Sequence, residues 1–124
     1  MKHRIRWSAG PLAALLVLAA APSFAHHGWS DYDSDHPLTL KGRIQTTSYE
    51  NPHATITLEA SGKRYTVVLA PVSRMESRGA PRETVAVGQD VTVVGYASKT
   101  HAGEVRAERI VLGAGAAEKT VELR

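Results

Sequence analysis

From Leu38 onward, apolar and polar residues alternate with a period of two. Leu38, Leu40 and Ile44 interleave with Thr39, Lys41 and Arg43, which describes a half-buried strand. Ala54, Ile56 and Leu58 alternate with Thr55, Thr57 and Glu59 in a second strand. Ser61-Gly62 then makes a tight turn into a third, carried by Tyr65, Val67 and Leu69, so a three-stranded antiparallel meander is expected. Pro71 ends that strand. Ser73-Arg74-Met75-Glu76 has the form of a capping box and Gly79 stands where a helix would stop, which predicts one short helix over Val72–Arg78.

After the turn Val87-Gly88-Gln89-Asp90, the pattern predicts a fourth strand over Val91–Ala97. A loop at Lys99–Gly103 then leads to a fifth over Val105–Leu112. In the fifth, Val105 and Ala107 share one phase while Ile110 and Leu112 share the other, so a bulge is expected near Glu108 or Arg109. Gly113–Ala117 reads as a flexible stretch and Lys119–Leu123 as a short edge strand. Three strands, a short helix and two strands is the order of a five-stranded OB-fold-like Greek-key barrel, an all-β fold. A small open β-sandwich is the competing architecture.

The first 25 residues follow a different pattern. Lys2, Arg4 and Arg6 form a positive segment, Pro11–Ala21 is an apolar run too short to span a bilayer, and Ser23-Phe24-Ala25 places small residues before a cleavage point. The expectation is a cleaved signal peptide over 1–25, an N-terminal arm over 26–37, a barrel over 38–112 and a tail over 113–124. Cutting after Ala21 would leave Pro22 first, which disfavours that alternative. With no Cys after the apolar run and no adjacent arginine pair, the general secretory route is expected, delivering a periplasmic or secreted bacterial protein with no membrane span after cleavage.

Charge then removes a function class. The chain has 15 Lys plus Arg against 12 Asp plus Glu. Three of the basic residues lie in the leader, so 12 face 12 in the remainder, and that remainder has no Phe, one Trp and four Tyr. A basic, aromatic-rich nucleic-acid surface is not expected. No cysteine is present, so burial alone must hold the fold. No nucleophile elbow, His-Glu-x-x-His pair or phosphate-cradling glycine loop occurs, and no enzyme is expected.

The candidate chemistry lies at the expected new N-terminus, His26-His27-Gly28-Trp29-Ser30. An N-terminal His can close a chelate through its α-amine and ring Nδ1. A second imidazole then completes a three-nitrogen site suited to copper. The metal-ligand candidates are His26, His27 and His53. His53 follows Asn51-Pro52 and shares the parity of the outward Thr55 and Thr57. His36, in an acidic stretch, and His101, in the fourth connection, are secondary; Met75 reads as core, and Trp29 as an anchor for the arm. The bland alternative is that the histidines are merely solvated.

The segments His26-His27-Gly28-Trp29-Ser30 with Tyr32-Asp33, Glu50-Asn51-Pro52-His53-Ala54, Ser73-Arg74-Met75 with Arg78-Gly79, and Val91-Thr92-Val93-Val94-Gly95-Tyr96 resemble a family of small exported bacterial proteins of unknown function. That resemblance implies a periplasmic β-barrel and no assigned activity. The architecture is also similar to exported OB-fold haem chaperones. Their His-x-x-x-Tyr attachment motif is missing here, since Val105 stands four residues after His101. Two readings follow. One is a copper-binding or copper-delivery protein with a periplasmic or inner-membrane protein partner. The other is a metal-free interaction module using a face that carries Tyr49, Tyr65 and Tyr96.

Overall fold

The computed structural model describes residues 28–124, so the expected leader and the candidate ligands His26 and His27 lie outside the described residues. The strands are β1 (Tyr32–Ser48), β2 (Thr55–Ala60), β3 (Lys63–Val68), β4 (Asp90–Ser98), β5 (Glu104–Leu112) and β6 (Lys119–Glu122). One helix, α1 (Val72–Ser77), lies between β3 and β4, followed by a 3-10 turn at Arg82–Val85. The sheet order is β3-β2-β1-β4-β5-β6, and a further β3–β5 pairing closes the first five strands into a barrel. All these ladders are antiparallel except β3–β5, which is parallel. This is the expected OB-fold-like plan, with β6 added at the edge.

β1 serves two partners. Its first half pairs with β4 through Pro37–Arg43, its second with β2 through Arg43–Ser48, and Arg43 faces both Asp90 and Glu59. The alternating apolar set meets inside: Ile44, Ile56, Leu58, Val67, Val93, Val105 and Ile110 are almost wholly buried. Met75 of α1 is fully buried against the same core. The phase change in β5 is the expected bulge. Val94 faces Arg109 and Gly95 faces Ala107, so Glu108 is the extra residue. Gly95 is required there, because a Cβ would overlap the Arg106 carbonyl oxygen.

Two details depart from the sequence reading. The first strand starts at Tyr32, not Leu38, because Tyr32 pairs with Ser98 across a register shift. Ser34, Asp35 and His36 in that shift are exposed, so this part of the strand carries no apolar period. The capping box does not form: Pro71 is the N-cap without a side-chain cap, and the Val72 N–H instead donates to Asn51 Oδ1 at 3.4 Å. β6 is the expected edge strand, and Val121 and Leu123, each 1% exposed, join the core.

The helix ends as its glycine predicts. Ala80 N donates to Met75 O and Gly79 N to Glu76 O, with Gly79 at φ +86°, the paired bonds of a Schellman motif. Two arginines of this helix serve backbone carbonyls at the end of the chain. Arg74 donates to Leu123 O at 3.1 Å, Arg78 to Glu122 O at 2.7 Å and Arg124 O at 3.1 Å. They thereby cover carbonyls at the end of the edge strand, which would otherwise be open to another chain.

Candidate functional site

Strand pairing places Thr55, Val68, Arg106 and Tyr96 in one row across β2, β3, β5 and β4. Val67, Val105 and Ala107 point inward, so Val68 and Arg106 point out. Trp29 covers the Arg106 end of this row. The guanidinium carbons of Arg106 and Arg124 lie 4.4 and 4.6 Å from the indole centre, and Tyr96 meets it edge-on with centroids 6.2 Å apart. Cation–π contacts of this kind contribute about 0.5–2 kcal/mol each, more as they are desolvated. Two of them on one ring fix its place.

The backbone beside Trp29 is stitched down as well. Lys99 Nζ donates to Ser30 O at 3.0 Å and Lys99 N to Asp31 O at 2.9 Å. Tyr32 lies within 5.9 Å of the Arg106 guanidinium and donates through its hydroxyl to Glu104 Oε2 at 3.2 Å. Tyr96 likewise donates to Glu108 Oε2 at 2.8 Å. The bulge that inserts Glu108 therefore also supplies the acceptor for Tyr96, and Arg109 and Arg124 each approach the same carboxylate at 3.7 Å.

These surroundings shift the protons. Burial, reinforced by the neighbouring Glu104 carboxylate, pushes the Tyr32 phenol up to about 12. Hydrogen bonding to Glu108, with burial, raises Tyr96. Burial lowers Arg106, and the nearby Arg74 and Arg124 guanidiniums add to that effect against the opposing pull of Tyr32. Both phenols stay neutral at ordinary pH, where they donate to carboxylates. The cluster is a clamp of aromatic rings between charges.

His53 is half-buried and precedes Ala54, which is fully buried and exchanges backbone bonds with Leu69 and Ala70. His53 thus stands just before β2, two residues ahead of Thr55, which ends the row on the side away from Tyr96. His36 is exposed and pairs with Asp33 at 2.9 Å, and the exposed His101 meets Thr100 Oγ1 at 3.0 Å. Among the described residues, no three His, Asp or Glu side chains come together to hold a metal ion. A groove of about 710 Å³ lies elsewhere, beside Lys41, Asp90 and Glu118, and contains no histidine.

The tyrosine face of the metal-free reading does not exist as one surface. Tyr49 is in the core, its hydroxyl donating to Ala80 O at 2.8 Å, while Tyr65 packs against the core and Tyr96 lies under Trp29 outside it. The sequence reading expected Trp29 to anchor the arm, which it does. It missed Arg106 and Arg124 as the anchor's partners. The outward phase of Arg106 was readable, but nothing local signals a stack between opposite ends of the chain.

The protein is thus an all-β, OB-fold-like barrel with an aromatic–guanidinium clamp holding the start of its described chain. It belongs to a family of unknown function (DUF6152), which matches residues 13–106. No curated protein matches it. Among solved structures it is similar to TiaS in a complex with an isoleucine tRNA and ATP, at 18% identity and a TM-score of 0.49, over 68% of this chain and 20% of that one. It is also similar to a ZRD-deleted TiaS mutant in complex with agmatine, at 16% identity and the same TM-score of 0.49, over 73% of this chain and 27% of that one. The chain therefore spans well under a third of the length of either structure.

Proposed function

We propose that this is an exported copper-binding or copper-delivery protein of the bacterial periplasm. Signal cleavage after Ala25 frees His26, whose α-amine and ring Nδ1 form one chelate. His53 supplies the second imidazole, and His27 is a further candidate donor. The α-amine has an ordinary pKa of about 7.7–8.0, so a metal competes for it readily at neutral pH. Nitrogen-only tetragonal sites favour copper. No redox turnover is part of the proposal. A periplasmic or inner-membrane protein would exchange the metal with it.

The observation that carries this reading is the seat of Trp29. From Arg106, beneath the indole, Thr55 is two strand spacings across, and His53 stands two residues before it in the connection that leads into β2. Three residues separate Trp29 from His26, a reach of about 10 Å. The reading requires the two imidazole side chains to bridge the remainder. The test is a Cu(II) titration of the processed protein beside a version carrying one extra N-terminal Ala. The reading expects tight binding by the first and its loss in the second. Equal affinity of both, micromolar or weaker, would overturn it.

A further inference from the structure

The molecule gathers arginines around the end of its chain. Arg74 donates to Leu123 O, and Arg78 to Glu122 O and Arg124 O. Arg106 and Arg124 both lie against the Trp29 indole, at 4.4 and 4.6 Å from its centre. Arg109 joins them through carboxylates, 3.2 Å from Glu122 and 3.7 Å from Glu108, which Arg124 also approaches at 3.7 Å. These contacts link the guanidiniums into one patch on the outer side of β5, β6 and the helix end.

The patch holds more positive than negative charge. Its side-chain carboxylates are Glu104, Glu108 and Glu122, against the five arginines. Basic and acidic residues balance over 28–124, so the excess here is local. Burial lowers the Arg106 pKa, Tyr32 opposes that shift, and the Arg74 and Arg124 guanidiniums push it further down. A carboxylate brought to this surface would relieve that repulsion. It could also reach the charges: Arg78 is exposed, and the side chains of Arg124 and Arg109 are 53% and 40% exposed.

We infer that this patch docks an acidic, extended segment of another protein, with its carboxylates on Arg78, Arg109 and Arg124 and its remaining atoms over Trp29. The inference uses no metal and is independent of the copper reading. Three observations select this occupant. The patch has no cavity for a small anion, since the groove of about 710 Å³ is lined by none of these arginines. Its half-buried Trp29 stands among arginines and the Tyr96 ring, the residue types that carry most of the binding energy at protein interfaces. Finally, Glu108 and Glu122 are interleaved with the arginines. They repel a continuous phosphate backbone or lipid headgroup layer, whereas a protein segment can space its acids around them.

The test is fluorescence anisotropy of a labelled oligoglutamate peptide with the full protein at low ionic strength. A single-stranded oligonucleotide of equal charge and phosphatidylglycerol vesicles serve as the competing probes. Oligoglutamate should bind saturably and more weakly as salt rises. Arg78→Gln and Arg109→Gln should each weaken binding about two- to fivefold, as for exposed ion pairs, and their effects should multiply. Arg109→Gln touches no backbone carbonyl, so it tests the patch even where Arg78→Gln loosens the chain end. Arg43→Gln removes the same charge from β1, beside Asp90, and should leave the affinity unchanged. Absence of oligoglutamate binding at low salt overturns the inference, as does an equal loss in Arg43→Gln. Tighter binding of the oligonucleotide or the vesicles than of oligoglutamate also overturns it, and would make the patch a nucleic-acid or lipid surface.

Discussion

Arg106 lies under Trp29, its guanidinium carbon 4.4 Å from the indole centre, and so ties the fifth strand to the first turn of the described chain. This contact does what periodicity does not: it fixes a segment that has no core-facing pattern of its own. Arg106 also keeps within 5.9 Å of Tyr32, so the same guanidinium braces two nearby aromatic anchors.

Removing the indole should therefore destabilise the whole barrel modestly and the arm strongly. Trp29 is half-buried, and its replacement by Ala forfeits part of a large apolar contact together with two cation–π pairs, about 1–3 kcal/mol in sum. The urea midpoint should fall, and the Tyr32 and Lys99 amides should lose hydrogen-exchange protection before those of β4. An unchanged midpoint with unchanged protection would contradict the clamp.

What the sequence makes legible follows from which interactions are local. The alternation of Ile56 and Leu58 with threonines, the Ser61-Gly62 turn, the Gly79 helix stop and the phase slip around Glu108 all lie within a few residues of the feature they specify. The order three strands, helix, two strands then leaves the barrel as the economical closure. The stretch Asp33–His36 was unreadable because it lies within a register shift, between the Tyr32–Ser98 and Pro37–Tyr96 pairs, where polar side chains replace the apolar period. The Ser-x-x-Glu motif misled because Pro71 starts the helix two residues earlier and Asn51, from a distant connection, meets its first N–H. The partners of Trp29 depend on tertiary closure and could not be found from spacing.

Gly79, half-buried beneath the Lys119 amine, should be the most sensitive backbone position in the α1 region. Its φ of +86° places it where a Cβ is strained, and both Schellman bonds depend on that conformation. Gly79→Ala is expected to lower stability by about 1 kcal/mol. The loss should appear in thermal melts as a lower midpoint with unchanged cooperativity. A Gly79→Asn variant, better tolerated in the left-handed region, should recover part of it. Equal stability of the native and Ala forms would mean that the helix end rearranges freely.

Met75 offers a direct test of whether the helix supplies core or chemistry. Its side chain is fully buried among residues of the barrel interior. Met75→Ala should cost about 2–5 kcal/mol by leaving a cavity, whereas Met75→Leu, close in volume, should cost less than about 1.5 kcal/mol. Under the copper proposal, any copper affinity should be the same in Met75→Leu, because the side chain is buried in the apolar core. A loss of copper binding in that variant, with stability retained, would make the sulfur a ligand.

Alkaline stability should report the Tyr32 phenol, raised first by burial and then by the neighbouring Glu104 carboxylate. Tyr32 titrates at about 12 in the folded protein, while an unperturbed tyrosine titrates near 10. The folded state therefore holds the phenolic proton more tightly than the unfolded chain. Its contribution is whole below about pH 10 and drains away as the pH rises toward about 12, because the unfolded chain then gains by ionising while the folded one resists. Comparison with Tyr32→Phe cancels the titration of lysines and of the other tyrosines, which both proteins share. The native protein should exceed the variant in urea stability at about pH 9, and the gap should shrink by about pH 11.5. A gap that stays constant across that range would show that the phenol is neither buried nor held beside Glu104 in solution, and the brace beside Arg106 would then be absent.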